Sequence, residues 1–214
     1  MTCARKALGE PRAMSRFREA LALMASLSVS AGTVLASERF DVGLMLGSTK
    51  ASDEGAVLQF DRATTLQATF AWRLWANERE RLSIEVPFLA SPAFEVTTPG
   101  SALPKEYASL YLTPGVRVTI VPNGPVSVFG AVGVGYARYS ESKLRADGTA
   151  NPDQRDTNTG ALQFGCGIDV PGFGWLGFRG EVRDVYTGAR NFSIITPRPN
   201  VHNVAASGGL VLRF

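Results

Sequence analysis

Residues 109–120 read SLYLTPGVRVTI, and their alternation decides the fold. Leu110, Leu112, Val116, Val118 and Ile120 fall at even positions. Ser109, Thr113, Arg117 and Thr119 fall at odd ones. Apolar residues two apart, and not three and four apart, mark a β-strand with two unlike faces. One face is large and aliphatic, while the other is small, polar or charged. A water-soluble sandwich or a lipocalin-like barrel also alternates, but it turns the apolar face inward. A strand whose second face is Gly, Ala, Ser, Thr and charge fits a lipid-facing exterior around a narrow polar lumen.

The same grammar recurs along the chain. Leu82, Ile84, Val86 and Phe88 alternate with Ser83, Glu85 and Pro87. Val126, Val128, Val132 and Val134 alternate with Ser127, Phe129, Ala131, Gly133 and Gly135. Leu162, Phe164, Cys166, Ile168 and Val170 alternate with Ala161, Gln163, Gly165, Gly167 and Asp169. Leu176, Phe178 and Val182 alternate with Arg179, Glu181 and Arg183. The pattern predicts strands at 39–47, 56–75, 81–96, 107–121, 126–140, 157–170, 175–187 and 201–214. Connections at 76–80, 122–125 and 171–174 are short; those at 50–55, 97–106, 141–156 and 188–200 are generally longer and polar. Short periplasmic turns and longer surface loops are the asymmetry of outer-membrane barrels. The expected fold is therefore all-β, an eight-stranded antiparallel up-and-down transmembrane β-barrel over residues 37–214. Trp72, Trp75, Trp175 and Phe214 fall near the expected periplasmic ends, and Tyr107, Tyr136, Tyr139 and Tyr186 near the outer ends. Amphipathic rings favour such interfaces.

Residues 1–36 read as a cleavable secretory signal, with Met14 as a second candidate start. Arg16 and Arg18 precede an apolar run from Ala20 to Val34, and Val34-Leu35-Ala36 prepares a cut before Ser37. The chain carries 22 basic and 19 acidic residues. The leader holds Arg5, Lys6, Arg12, Arg16 and Arg18 against Glu10 and Glu19, so 22 less five and 19 less two leave the remainder neutral. The basic excess belongs to the leader, which argues against nucleic acid as a partner. No run reaches the roughly 18–20 apolar residues of a membrane-spanning helix. Cys3 leaves with the leader, so Cys166 has no intrachain partner.

The chain ends SGGLVLRF. This resembles the terminal signal of bacterial outer-membrane proteins: a polar residue, a Gly two places on, then alternating hydrophobics and a final aromatic. Ser207, Gly209, Leu212 and Phe214 match it. The mature region resembles the broad family of small outer-membrane β-barrels of the OmpA, OmpX and OmpW type. Tyr111–Ile120 (YLTPGVRVTI), Val128–Tyr139 (VFGAVGVGYARY) and Leu176–Thr187 (LGFRGEVRDVYT) carry the likeness. It implies a place in the bacterial outer membrane, contact with its lipids, and reading of the last strand by the barrel assembly machinery. It implies no activity, and no peptidoglycan-binding domain is expected after the barrel.

Charged residues on the inner face are Asp41, Arg73, Glu85, Arg117, Asp169, Arg179, Glu181, Arg183 and Arg213. Charge in a narrow lumen must pair, because unpaired buried charge is costly. The expectation is a structural ion-pair network that plugs the lumen; the rival is an ion path along Arg179, Glu181 and Arg183. His202 is the single histidine, expected near the outer end of the last strand. A hydrolase needs its base beside a nucleophile, and only Ser193 in the adjacent loop offers one. The loop RADGTANPDQRD (145–156) has Asp147, Asp153 and Asp156 but lacks the ligand spacing of a calcium loop. No catalytic residue, cofactor or metal set is expected. Three functions remain: surface interaction through loops, passage of small or apolar molecules past inward Phe129, Tyr111 and Tyr139, and a lipid-modifying enzyme that would need His202.

Overall fold

The computed structural model describes residues 39–52, 62–95, 105–120, 125–145, 147–152, 154–188 and 200–214. The expected leader at 1–36, with Met14, lies outside them, as do 53–61, 96–104 and 189–199, where three of the longer connections are expected. Nine strands follow in order: β1 Phe40–Ala51, β2 Arg62–Ala76, β3 Glu80–Glu95, β4 Glu106–Leu112, β5 Gly115–Ile120, β6 Ser127–Glu141, β7 Asp156–Pro171, β8 Leu176–Gly188 and β9 Asn200–Arg213. Every pairing is antiparallel, and β9 pairs back onto β1 from Asp41 opposite Arg213 to Ala51 opposite Asn203. The sheet is therefore closed. It has no free edge, which in lipid is a requirement for a strand structure.

The eight expected strands are present, but the fourth is broken. Both β4 and β5 lie between β3 and β6 and share one stave of the barrel. The break is at Thr113-Pro114, where proline removes a ladder donor. The Thr113 N–H donates to the Pro87 carbonyl at 3.4 Å, and the Val134 N–H donates to Pro114's at 3.0 Å. The β6 backbone then passes so close that a Cβ at Gly133 or Gly135 would collide with the Thr113 or Leu112 carbonyl oxygen. That approach explains two glycines of VFGAVGVGY. One further boundary differs from the alternation: β1 runs on to Ala51; the expected start of the second strand at 56 lies outside the described residues.

The faces divide as expected. Leu44, Leu46, Phe70, Val118, Val134, Phe164, Val182 and Leu210 are exposed, and the odd positions between them are buried or half-buried. In water such a belt would sacrifice about 25 cal/mol for each Å² of apolar surface left uncovered. In a bilayer it is the lipid face. Connections are short at one end, between β2 and β3, β5 and β6, and β7 and β8, and longer at the other. The first short turn is set by Asn77, whose side-chain oxygen accepts from the N–H groups of Arg79 and Glu80 at 2.8 and 2.6 Å. In the third, Gly174 takes φ +59°.

Candidate functional site

The lumen near the short-turn end is a chain of ion pairs. Asp169 and Arg179 sit opposite each other on β7 and β8. Their contact is bidentate, with Nε to Oδ1 at 2.7 Å and a terminal nitrogen to Oδ2 at 2.8 Å. Arg213 reaches the same carboxylate at 3.3 Å. Across the lumen, Arg117 donates to Asp41 at 2.5 Å and to Glu85 at 3.1 Å. Glu85 also accepts from Arg183 at 2.5 Å, and Arg183 continues to Glu181. Four arginines thus meet four carboxylates, a set that is neutral as a whole. Neutral neighbours complete it: Gln67 donates to Glu181 and accepts from Ser207, and Thr69 accepts from Arg179 at 3.4 Å. The Phe129 ring lies 5.5 and 4.9 Å from the Arg117 and Arg179 guanidinium carbons, a cation–π contact on each. Inward glycines make the space: a side chain at Gly167 would strike Phe129 and Glu181.

Toward the loop end the filling changes character. Leu89, Phe94, Tyr107, Tyr111, Tyr139 and Val185 form one buried cluster with inward alanines. Phe94 stacks on Tyr107 at 4.7 Å, and Tyr139 meets Tyr107 and Tyr111 edge-on at 6.1 and 5.9 Å. The Tyr139 hydroxyl shares a hydrogen with Thr187 at 2.7 Å and accepts from Asn203 at 3.2 Å. None of these rings exceeds 1% exposure, so they fill the lumen and do not line an open one. Tyr107 and Tyr139, expected at the membrane interface, are interior residues. Phe129, expected among the upper lining, belongs to the charged half, because it opposes Thr119 and Gly167 near the start of β6.

On the outer wall, His202 Nδ1 lies 2.8 Å from Asp184 Oδ2, and its ring stands 4.8 Å from that of Tyr186. His202 is exposed, as expected of an interfacial residue. Ser52 continues the β1–β9 ladder opposite it, and both its N–H and its hydroxyl donate to the His202 carbonyl at 2.9 Å. Ser193 lies outside the described residues. Nearby, Arg138 pairs with Asp156 at 2.6 Å and the Tyr136 hydroxyl donates to Asn158 at 2.5 Å. In the loop between β6 and β7, Asp147 accepts from the Thr149 hydroxyl and N–H at 2.6 and 2.9 Å. Those hydrogen bonds, the hydroxyl's first, hold its carboxyl below the ordinary value of 3.8. Asp156, at the end of the same loop, is engaged by Arg138; Asp153 lies outside the described residues. Among the described residues no group of three or more His, Cys, Asp or Glu could hold a metal ion.

In the last strand, Ser207 and Gly209 face the lumen side, and Leu212 and Phe214 the lipid side. Ser207 donates to Gln67 at 2.7 Å, and a Cβ at Gly209 would collide with the Leu44 carbonyl. Phe214 stacks on Trp175 at 6.4 Å and exchanges two backbone hydrogen bonds with Phe40 at 2.9 and 3.0 Å.

Eight of the nine charged residues expected in the lumen thus join one network. Arg73 sits beyond it, at the short-turn rim, where its N–H donates to the Arg39 carbonyl at 2.8 Å. Alternation alone does not reveal Gln67, Thr69 and Ser207 as members, though their odd positions place them inside. Asp184 escaped the sequence reading because it is even-numbered and faces out, directly after inward Arg183.

A family model described as the outer membrane protein β-barrel domain matches residues 20–214. Among curated proteins there is no sequence match. Among solved structures, neisserial surface protein A aligns with a TM-score of 0.58 at 12% identity, over 82% of this chain and 97% of that one. The outer membrane protein OprG of Pseudomonas aeruginosa gives 0.50 at 13% identity, over 83% and 96%. The outer membrane enzyme PagL gives 0.45 at 17% identity, over 81% and 99%. At such identities the likeness concerns the fold alone.

Proposed function

We propose that this chain, which belongs to the outer membrane protein β-barrel domain family and resides in the bacterial outer membrane, is a closed, non-catalytic barrel that works through its surface loops. The observation that carries this reading is the filling of the lumen at two successive levels, ion pairs below and aromatic rings above. An ion path along Arg179, Glu181 and Arg183 has no free site to offer, since Arg179 and Arg183 are both engaged by carboxylates. Passage of apolar molecules would need an open upper lumen, which Tyr107, Tyr111 and Tyr139 occupy. What is left is a rigid scaffold carrying long loops, the arrangement in which binding residues commonly sit. The β6–β7 loop is held to the rim: the Gln154 amide donates to the Glu141 carbonyl at 2.8 Å and the Arg155 N–H to the Glu141 carboxylate at 3.2 Å.

Planar-bilayer recording tests the closed lumen. The expected trace stays at the lipid baseline; sustained steps at neutral pH would favour passage. The surface role is tested by adhesion of cells bearing the barrel against cells whose 143–155 segment is replaced by a short Gly-Ser turn. Equal adhesion would remove the loop from the account. In the same reading, outer-membrane lipids cover the aliphatic belt, and the assembly machinery engages Ser207, Gly209, Leu212 and Phe214 during insertion.

One observation favours a second reading, a lipid-active hydrolase: His202 is held by a carboxylate, as a general base is in a Ser–His–acid set. Ser52 opposite is the candidate nucleophile, but its hydroxyl is directed at the His202 carbonyl. Release of fatty acid from outer-membrane lipid, abolished by His202→Ala and by Ser52→Ala, would establish it. The closed-scaffold reading expects no release.

A further inference from the structure

Asp184 interrupts the lipid face. It points outward on β8, between Phe164 of β7 and Val204 of β9, which are exposed members of the aliphatic belt. Its side chain is 34% exposed. His202 engages one carboxylate oxygen, Oδ2; the other, Oδ1, has no hydrogen-bond partner among the described residues. A carboxylate so placed is costly against hydrocarbon and calls for a cation. The row that holds it runs on across Val204 to Lys50 of β1 and Arg62 of β2. Arg62 has contacts of its own, but Lys50 is exposed and forms no ion pair among the described residues. On the outer face of β8, β9 and β1 the acidic and basic side chains are therefore Asp184, His202 and Lys50. The acid and the lysine stand one strand to either side of β9.

Between them β9 presents a narrow outer face, Val204, Ala206 and Gly208. The barrel does not itself require this glycine. A Cβ at Gly208 would meet only the Arg179 carbonyl oxygen, at 3.7 Å, and one at Gly180, opposite it on β8, only Ile168 Cγ1 at 3.9 Å. Both are ordinary contacts. On the inner side of the neighbouring β1–β9 seam the case is different, since a Cβ at Gly47 or Gly209 would strike backbone. Glycine inside a strand weakens it and marks a place where another backbone comes close.

We propose that β9 is the contact strand of a twofold homodimer in which Asp184 of each copy pairs with the partner's Lys50. A twofold axis along the membrane normal keeps both copies in one orientation and closes the assembly at two. Passing along β9, that axis sets β8 of each copy against β1 of the other, so the ion pair forms twice. With strands about 4.8 Å apart and tilted about 40°, the row climbs about 3 Å per strand. Lys50 then stands about 6 Å above the carboxylate it serves, a gap that its four-carbon stem spans. A lipid phosphate would answer Lys50 and repel Asp184. Opposite charges at equal distance from one strand are what a surface needs to pair with itself.

The test is cysteine crosslinking of the full chain in intact outer membranes, with Cys166→Ser as the background. Ala206→Cys lies on the axis and should crosslink to itself, giving a species of twice the chain's mass. Val132→Cys, exposed on β6, should not. Asp184→Lys or Lys50→Asp should each lower the Ala206→Cys product about tenfold, because like charges then face each other. Cells making both reversed chains together should recover it, since each complements the other. A pairing inside one barrel predicts no recovery, because each reversed chain carries two like charges. No product with the original charges, equal product at Val132→Cys, no change on reversal or no recovery on mixing would overturn the dimer. A product of any other mass would assign the face to a different protein and overturn it too. The heat-dependent gel shift shows which variants are folded. Should the reversals fail to assemble, Gly208→Leu decides: its side chain has room on its own wall but none between two. Loss of the product supports the dimer, and persistence defeats it.

Discussion

The two halves of the lumen are equally closed but closed by different physics. Near the short turns, every major contact is a charge pair, and its members come from β1, β3, β5, β7, β8 and β9. Such a network ties distant strands together and tolerates no vacancy, since each charge was stripped of water on the assumption of a partner. Near the loops, the rings pack on one another and on small side chains, with neutral hydrogen bonds such as Tyr139 to Thr187 between them, and a smaller residue there leaves a cavity but strands no ion pair. The first half therefore links strands through paired charge, and the second packs them through rings. The comparison is best broken at Glu85, the carboxylate that Arg117 and Arg183 share. Glu85→Ala leaves Arg117 and Arg183 each short of a carboxylate, with an expected loss of about 3–5 kcal/mol. Denaturant unfolding in detergent micelles measures it, and a loss under 1 kcal/mol would mean that the lumen is wet and the network loosely held.

The aromatic half should yield more gently to a matched test. Tyr139→Leu removes a ring that touches Tyr107 and Tyr111, and its cost is expected near 2–3 kcal/mol. Tyr139→Phe removes only the hydroxyl shared with Thr187 and Asn203, for about 1 kcal/mol. If the phenylalanine variant proves as harmful as the leucine, the half is held by its hydrogen bonds and the contrast drawn above collapses. Conductance sharpens it differently. The two fillings are in series, so Glu85→Ala and Tyr139→Ala should each leave a bilayer silent, and only their combination should conduct. A single variant that conducts would show that one level alone is the seal.

The parity of most strand positions was written openly in the sequence, and so was the location that follows from it; past the irregularities at Arg73/Trp75 and Ser91/Phe94 it fails, with Trp75 turned out and Phe94 turned in. Height along the barrel was not written there. Alternation says that Phe129 and Tyr139 both point inward, but not that one rests on arginines and the other on tyrosines. That difference depends on the stagger between strands, which no single strand encodes. For the same reason, Asp41 and Arg117 were both legible as inward charges, while their pairing across 76 positions was not. The broken fourth stave had a visible cause in Pro114, but strand periodicity carries across a proline whose neighbours keep alternating. His202 could be read as interfacial. Its carboxylate partner could not, because Asp184 joins it diagonally: Asp184 opposes Val204, and His202 opposes Tyr186.

The smallest effect lies beyond the barrel wall, where solvent replaces both fillings. Asp147 is fully exposed, yet the Thr149 hydroxyl and N–H hold its carboxyl below 3.8. A carboxyl depressed by folding adds stability above its unfolded value, and that contribution fades as pH falls through the lowered one. The hairpin joined by Leu144 and Ala150 should then loosen only below about pH 3.8, with the barrel still intact. Amide exchange at Arg145, whose N–H donates to the Thr149 carbonyl at 2.9 Å, reports on that turn. In the wild type its protection should drop across that window. In Asp147→Asn, which keeps an acceptor but cannot titrate, the drop should vanish once the intrinsic pH dependence of exchange is removed. A drop of equal size in both proteins would place the acid sensitivity elsewhere in the loop, with Glu141 at the rim as the next residue to change, because its carboxylate holds the Arg155 end of the same segment.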